Sequence, residues 1–342
     1  MTPRLLRTAV ATVLALGAVG LTQPAQADSS DGVHTVRVPD GDAHERSLAP
    51  RTTEPFSLLG VTWDDPDQAL YGSVRVRTRS RESGEWSVWR SLDSDIRTPE
   101  AGPERHRGGM RGGTQPLWTG PADGVQVRVW GARLPEGLRV ELVDPEGGSD
   151  AVHTAVVDPV VVGPAVQAPS AQRPAVTSRS AWGADESLVK DPPTHTSGTK
   201  AMFVHHTAGT NDYRCSESAS IVRGVFLYHV KSNGWNDIGY HFLVDKCGTV
   251  FEGRAGGIDK PVLGAHTYGF NTATSSVSVL GDYSTAAANA AVRASVAKVA
   301  AWKLGLYGIA PTGTVVLTAG ADNGKYKLGE KVTMHRVSGH RD

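Results

Sequence analysis

Between residues 35 and 144 apolar and polar side chains alternate one by one, and a chain with that period can turn one face inward only if it is extended. Val74, Val76 and Thr78 interleave with Arg75, Arg77 and Arg79; Val125, Val127 and Val129 interleave with Gln126, Arg128 and Trp130; Leu138, Val140 and Leu142 repeat the pattern. Turns rich in Gly, Pro and Asp separate the runs, and no helical period intervenes. Residues 28–144 are therefore expected to form an all-β, sandwich-like accessory domain. The glycine cluster Gly108-Gly109-Met110-Arg111-Gly112-Gly113 lacks the strand–loop–helix setting of a phosphate loop and reads as a surface loop.

Residues 145–176 are rich in Pro, Ala, Val and Gly with few charges, the composition of an extended tether. Beyond them the period changes. Residues 201–207 read as a strand, and residues 216–231 as a helix with Ile221, Val225 and Tyr228 on one face. Residues 240–245 and 249–252 read as a hairpin around Lys246-Cys247-Gly248, and residues 276–280 as another strand. An alanine-rich helix over 286–304 carries Val292, Val296 and Val299 on one side, and 314–317 reads as a last strand or edge hairpin. Residues 177–342 are thus expected to be an α/β domain, a central mixed sheet with flanking helices.

At the N-terminus Arg4 and Arg7 precede an apolar run over 9–21, and Ala25-Gln26-Ala27 offers a small-residue cleavage site. Residues 1–27 read as a secretory signal peptide cut before Asp28, since the run falls short of the ~20 residues of a membrane-spanning helix. In an exported chain the two cysteines, Cys215 and Cys247, are expected to pair as a disulfide; the competing reading makes one a zinc thiolate. The formal net charge of zero and pI near 7.2 give no global field favouring nucleic acid or an anionic membrane. Neither nucleic acid nor stable membrane insertion is expected, and no protein partner is implied.

Two histidine-bearing segments lie far apart. On a strand, His205 and His206 point to opposite faces, so only one can enter a mononuclear site. The order Phe203, His205, Thr207 puts His205 with a small polar residue on the site-facing side. His340 sits in Val337-Ser338-Gly339-His340-Arg341-Asp342. A catalytic zinc normally takes three protein ligands and a water; two are in view.

Ser178-Arg179-Ser180-Ala181-Trp182-Gly183-Ala184, Val204-His205-His206-Thr207-Ala208 and the run from Trp235-Asn236-Asp237 through Gly239-Tyr240-His241-Phe242 follow one another in order. Gly248-Thr249-Val250-Phe251-Glu252-Gly253-Arg254, Gly264-Ala265-His266-Thr267, Gly269-Phe270-Asn271 and Gly339-His340-Arg341-Asp342 come after. Together, over residues 177–342, they resemble the peptidoglycan recognition protein family, which shares its fold with zinc-dependent N-acetylmuramoyl-L-alanine amidases. The front domain more loosely resembles an accessory segment found ahead of such amidases. The resemblance implies a secreted, wall-associated hydrolase acting on peptidoglycan, with Zn2+ held by His205 and His340 and with Tyr240 at the family's active-site tyrosine position. Thr207, Arg254, His266 and Asn271 become candidates for holding sugar or stem peptide, while His206, His229, His241 and His335 read as structural.

This sequence departs from the family pattern in places. A family cysteine ligand follows Gly-His-Arg-Asp by a short loop, with a lysine or threonine near it, and neither falls within the 342 residues. The expectation is an amidase fragment, incomplete at its C-terminus. The alternative is a non-catalytic peptidoglycan-binding protein if the chain ends at Asp342, and a third reading is an adhesion protein driven by the β domain. The loop over 255–262 differs from that of animal members, so stem-peptide preference does not transfer, and Thr274-Ser275-Ser276-Val277 replaces a turn that commonly contains glycine.

Overall fold

The alternating runs of the first domain become strands, as their period requires. The computed structural model describes residues 29–30, 32–94, 99–147 and 171–342. The signal-peptide reading for 1–27 and most of the tether reading fall outside these residues. The strands are β1 (Ser29–Ser30), β2 (Val33–Arg37), β3 (Glu45–Trp63), β4 (Gly72–Ser80), β5 (Arg90–Leu92), β6 (Gly112–Gly113), β7 (Leu117–Gly131) and β8 (Arg139–Val143). They form one hydrogen-bonded path, β1-β2-β8-β3-β7-β4-β5, with β6 on β3. Register shifts along β3 bend its pairing with β7, the expected effect of bulges. The inward set named by the alternation is buried: Val74, Val76, Val125, Val127, Val129 and Val140 are all 0% exposed in one apolar cluster.

The second domain is the expected mixed α/β unit. Its strands are β9 (Ala201–His206), β10 (Phe242–Val244), β11 (Val250–Glu252), β12 (Thr274–Val279), β13 (Thr314–Thr318), β14 (Lys331–His335) and β15 (Val337–Gly339). The central sheet runs β11-β10-β12-β9-β15, parallel except for the β10–β11 hairpin; β13 and β14 form a separate antiparallel pair. The helices are α1 (Arg179–Trp182), α2 (Ser218–Leu227) and α3 (Ala290–Gly305). The β10–β11 turn is built by Asp245, whose carboxylate accepts from Cys247 N (2.9 Å) and Thr249 N (2.8 Å), with Gly248 at φ 87°. Cys215 and Cys247 are disulfide-bonded, tying the approach to α2 to this turn and excluding the thiolate reading.

Sequence gives α2 one apolar face, but the structure buries it all round. Every residue from Ile221 to His229 is buried, as in a helix enclosed between layers. One side packs on Trp182, Ile238 and Leu243 of its own domain; the other meets Val33, Leu58, Trp118 and Val143 of the β domain in the same cluster. Gly224 allows this approach, since a Cβ there would stand 3.2 Å from Leu58 Cδ1. Arg223 adds polar anchors, donating to Pro145 O (2.8 Å) and Trp182 O (2.7 Å) and pairing with Glu146. The first residues of the expected tether are therefore fixed to α2, and the two domains share a core.

Candidate functional site

The site lies where β9 and β15 run side by side. β9 opens with buried Ala201, Met202 and Phe203, which root it in the sheet, and the next pair of side chains diverges as strand geometry demands. His206 turns to one side, where its Nδ1 accepts from Tyr283 N at 2.8 Å. His205 turns to the other. β15 pairs parallel with β9 through Gly339↔Val204, and His340 N donates to Val204 O at 3.1 Å. The register sets the His205 and His340 rings 4.7 Å apart.

Tyr240 and His266 complete the cluster, with ring centroids 5.3 and 5.4 Å from that of His205. Thr267 Oγ1 lies 3.3 Å from His205 Nε2 and 2.9 Å from His266 Nδ1. His266 Nε2 is buried with no hydrogen-bond partner among the described residues. Burial, reinforced by the neighbouring histidines, holds the His205 and His266 imidazoles well below their ordinary pKa. Both rings are neutral at pH 7, the form that ligates metal or accepts a hydrogen bond. Burial pushes the Tyr240 phenol up to about 12, against the opposing pull of hydrogen bonding with Gln115 and Ser278, so its hydroxyl is a donor at neutral pH.

Two cavities flank the histidine pair. One, of about 320 Å³, is lined by Tyr240, His266, Thr267, Lys325, His340 and Arg341 among others. The second, of about 260 Å³, is lined by Val204, His205, His206, Tyr283 and His340. Gln115, carried between β6 and β7 of the first domain, lines both, and its Oε1 accepts from the Tyr240 hydroxyl at 3.2 Å. No sequence signal marks this residue, because its partner lies 125 positions away.

The other substrate candidates have different surroundings. Arg254 is buried and paired with Glu104 of the first domain, beside a small pocket that also contains Asn236. Asn271 Oδ1 accepts from His266 N (2.7 Å) and Thr267 N (2.9 Å), while its Nδ2 donates to Glu100, a carboxyl whose pKa is raised by burial. Thr207 Oγ1 accepts from Gly281 N at 3.0 Å. Of the four, His266 lines the cavity; Asn271 shapes the turn that aims it, and Arg254 and Thr207 bind protein groups. Of the histidines read as structural, His241 and His229 are buried and packed, His241 Nε2 lying 2.8 Å from Val262 O and His229 stacking on Trp235 at 4.5 Å. His206 instead lines the second cavity, and His335 is exposed.

His229 also gives a pH prediction. Burial lowers its pKa from 6.5 to about 3, and Gly239 N donates to its Nδ1. Below pH 6.5 the unfolded chain takes up a proton that the folded chain refuses, so stability falls as pH drops from 6.5 toward 3. The expected loss from this residue is on the order of 3 kcal/mol by pH 4. Urea midpoints measured across that range should show the decline. His229→Gln should make it shallower by this residue's share only, since His205, His241 and His266 are held low by burial in the same way.

For zinc, the donors match in kind. Two imidazoles, at least His205 neutral, stand together at the junction of the cavities. Among the described residues no group of three His, Cys, Asp or Glu side chains could hold a metal, and both cysteines are committed to the disulfide. The described residues offer two candidate ligands, His205 and His340, of the usual three.

Comparison with known proteins agrees with the fold and the motifs. Residues 195–342 match the family model described as N-acetylmuramoyl-L-alanine amidase, and residues 18–179 match a model described as an Rv3811 N-terminal galactose-binding domain-like region. The chain is 35% identical over 113 residues to peptidoglycan-recognition protein SC2 of Drosophila simulans, covering 32% of this chain and 56% of that protein. It is 34% identical over 116 residues to peptidoglycan recognition protein 3 of Homo sapiens, covering 34% and 32%. The matches thus span about half or less of these relatives' lengths. Among solved structures, peptidoglycan recognition protein-LE in complex with tracheal cytotoxin aligns at 29% identity and a TM-score of 0.34, over 37% of this chain and 71% of that one. These matches support assigning residues 195–342 to the peptidoglycan recognition protein and type-2 amidase family. No helix among the described residues is long and apolar enough to cross a membrane.

Proposed function

We propose that this chain is an exported hydrolase that cleaves the amide bond between N-acetylmuramic acid and L-alanine in peptidoglycan. The observation that carries the reading is the convergence of His205, His340 and Tyr240 on one pair of cavities. His205 and His340 would hold Zn2+, which when bound supplies a Lewis acid and a water acidic enough to attack at neutral pH. The Tyr240 hydroxyl donates to the oxygen of the scissile carbonyl, where negative charge develops. Gln115 accepts from that hydroxyl in the resting protein and so sets its direction. His266 Nε2, unpartnered and beside the cleft, takes a donor from sugar or stem peptide. Lys325 and Arg341 line the same cavity and suit the carboxylates of such a substrate. Thr207, Arg254 and Asn271 serve the substrate indirectly, by fixing the walls. Export, with residues 1–27 as the leader, fits the disulfide.

A second reading, a non-catalytic peptidoglycan-binding protein, is favoured by the two-ligand donor set. One experiment separates them. The purified chain is equilibrated with ZnCl2, its bound zinc is measured, and a muramyl pentapeptide is added with product detection by mass spectrometry. Hydrolase activity predicts retained zinc and release of the free pentapeptide, both lost in His340→Ala. Saturable muropeptide binding without release at any zinc level establishes the binder instead.

A further inference from the structure

The outer face of the first domain carries an arrangement that the C-terminal site does not use. On β4 and β7 the outward residues Arg75 and Arg128 stand directly opposite one another, and Arg77 stands opposite Gln126. Like charges in direct cross-strand register oppose pairing. The ion pairs among the described residues engage other arginines and leave Arg75, Arg77 and Arg128 without a carboxylate. Indoles support them instead. Arg77 lies over Trp86 at 5.2 Å and over Trp89 at 5.3 Å, Arg128 over Trp89 at 5.0 Å, and Arg75 over Trp130 at 5.5 Å. Arg77 Nε also donates to Gln126 Oε1 at 2.6 Å. Arg75 and Arg128 are nevertheless exposed, as is Trp130 at 37%, and Tyr71 beside it is 73% exposed.

Stacking contributes to the domain, but it does not account for three uncompensated charges on one face of a chain whose net charge is zero. Its further effect is preorganisation. A guanidinium held over an indole has already given up part of its ~2 kcal/mol of rotamer entropy, and for Arg75 and Arg128 the N–H groups stay available for a planar anion. We propose that this face is a binding surface for an acidic polysaccharide: carboxylates on successive sugars meet Arg75, Arg77 and Arg128, and a pyranose ring rests on Trp130 and Tyr71. Single-stranded nucleic acid also pairs stacking with negative charge, but binders of that class usually carry a basic domain with a pI above ~9, whereas residues 28–144 carry 15 arginines and no lysine against 19 acidic residues. The proposal is independent of the hydrolase reading.

The test titrates the full chain with an oligogalacturonate, following tryptophan fluorescence, against a neutral dextran oligomer and a dT oligomer of similar length. The expected result is saturable binding of the oligogalacturonate that weakens with added salt, no binding of dextran, and at least tenfold weaker binding of dT. Arg75→Gln/Arg128→Gln should lose at least tenfold in affinity, while Arg75→Lys/Arg128→Lys, which keeps the charge without the planar fork, should lose less than that. An unchanged circular dichroism spectrum in both separates lost charge from a lost fold. Lack of saturation by oligogalacturonate overturns the proposal. Equal affinity for dT overturns it in favour of a nucleic-acid surface, and unchanged affinity in the glutamine variant removes the ligand from this face.

Discussion

Replacing Glu104 by alanine should lower the free energy of unfolding by about 3–5 kcal/mol, the usual cost of stripping the partner from a buried ion. The Glu104 side chain is 11% exposed and that of Arg254 is 7% exposed. One carboxylate oxygen meets Arg254, and the other accepts from Asn236 N at 2.7 Å. Arg254 Nη1 is already buried without a partner, so truncating Glu104 would strand the whole guanidinium and orphan a backbone N–H. Glu104→Gln keeps an acceptor for both groups and should cost less, about 1–3 kcal/mol. Glu104→Leu combined with Arg254→Met removes both charges and should recover most of the loss. Urea unfolding of the four proteins checks this. A Glu104→Ala effect within about 0.5 kcal/mol, the scale of a surface change, would show that the pair does not form.

Tyr228→Ala is expected to cost a similar 3–5 kcal/mol. Tyr228 is fully buried in the cluster shared by both domains, and its hydroxyl donates to Thr114 O at 3.0 Å. Its ring fills the space above Gly60, where a Cβ would stand only 2.3 Å away. Tyr228→Phe loses the hydrogen bond alone and should cost about 1 kcal/mol. Gly60→Ala should cost about 1–3 kcal/mol by overpacking, and much less when Tyr228 is already alanine. That non-additivity is the diagnostic result, because it requires the two domains to touch at this point in solution. Calorimetry should show one transition for the parent chain and a broadened or divided one for Tyr228→Ala.

What could be read from sequence was whatever local periodicity or a contiguous motif encodes. The valines of β4 and β7 announce their strands by alternation, and the hairpin turn at Gly248 is spelled by Asp245 and the glycine. His205 and His340 were legible as a pair only through family resemblance, since nothing local ties β9 to β15. The second buried face of α2 was illegible because its cover comes from Leu58 and Trp118, in another domain. For the same reason Arg254 reads in isolation as a free fork for a carboxylate. Its acid is Glu104, 150 residues away, and nothing in either segment signals that encounter. Asn271 reads as a substrate contact on similar grounds, yet its polar groups engage Glu100 and the turn that carries His266.

The position of β15 bears on the order of events during folding. It is the edge strand of the central sheet and joins that sheet only by pairing with β9, yet it emerges from synthesis after every other strand of the sheet. Closing so long a loop is slow compared with forming hairpins and helices. A nascent chain can therefore bury β10, β12 and both long helices while His205 still lacks its neighbour. The histidine pair is complete only when β15 has docked on β9, so any property that depends on both rings reports on molecules whose central sheet is assembled.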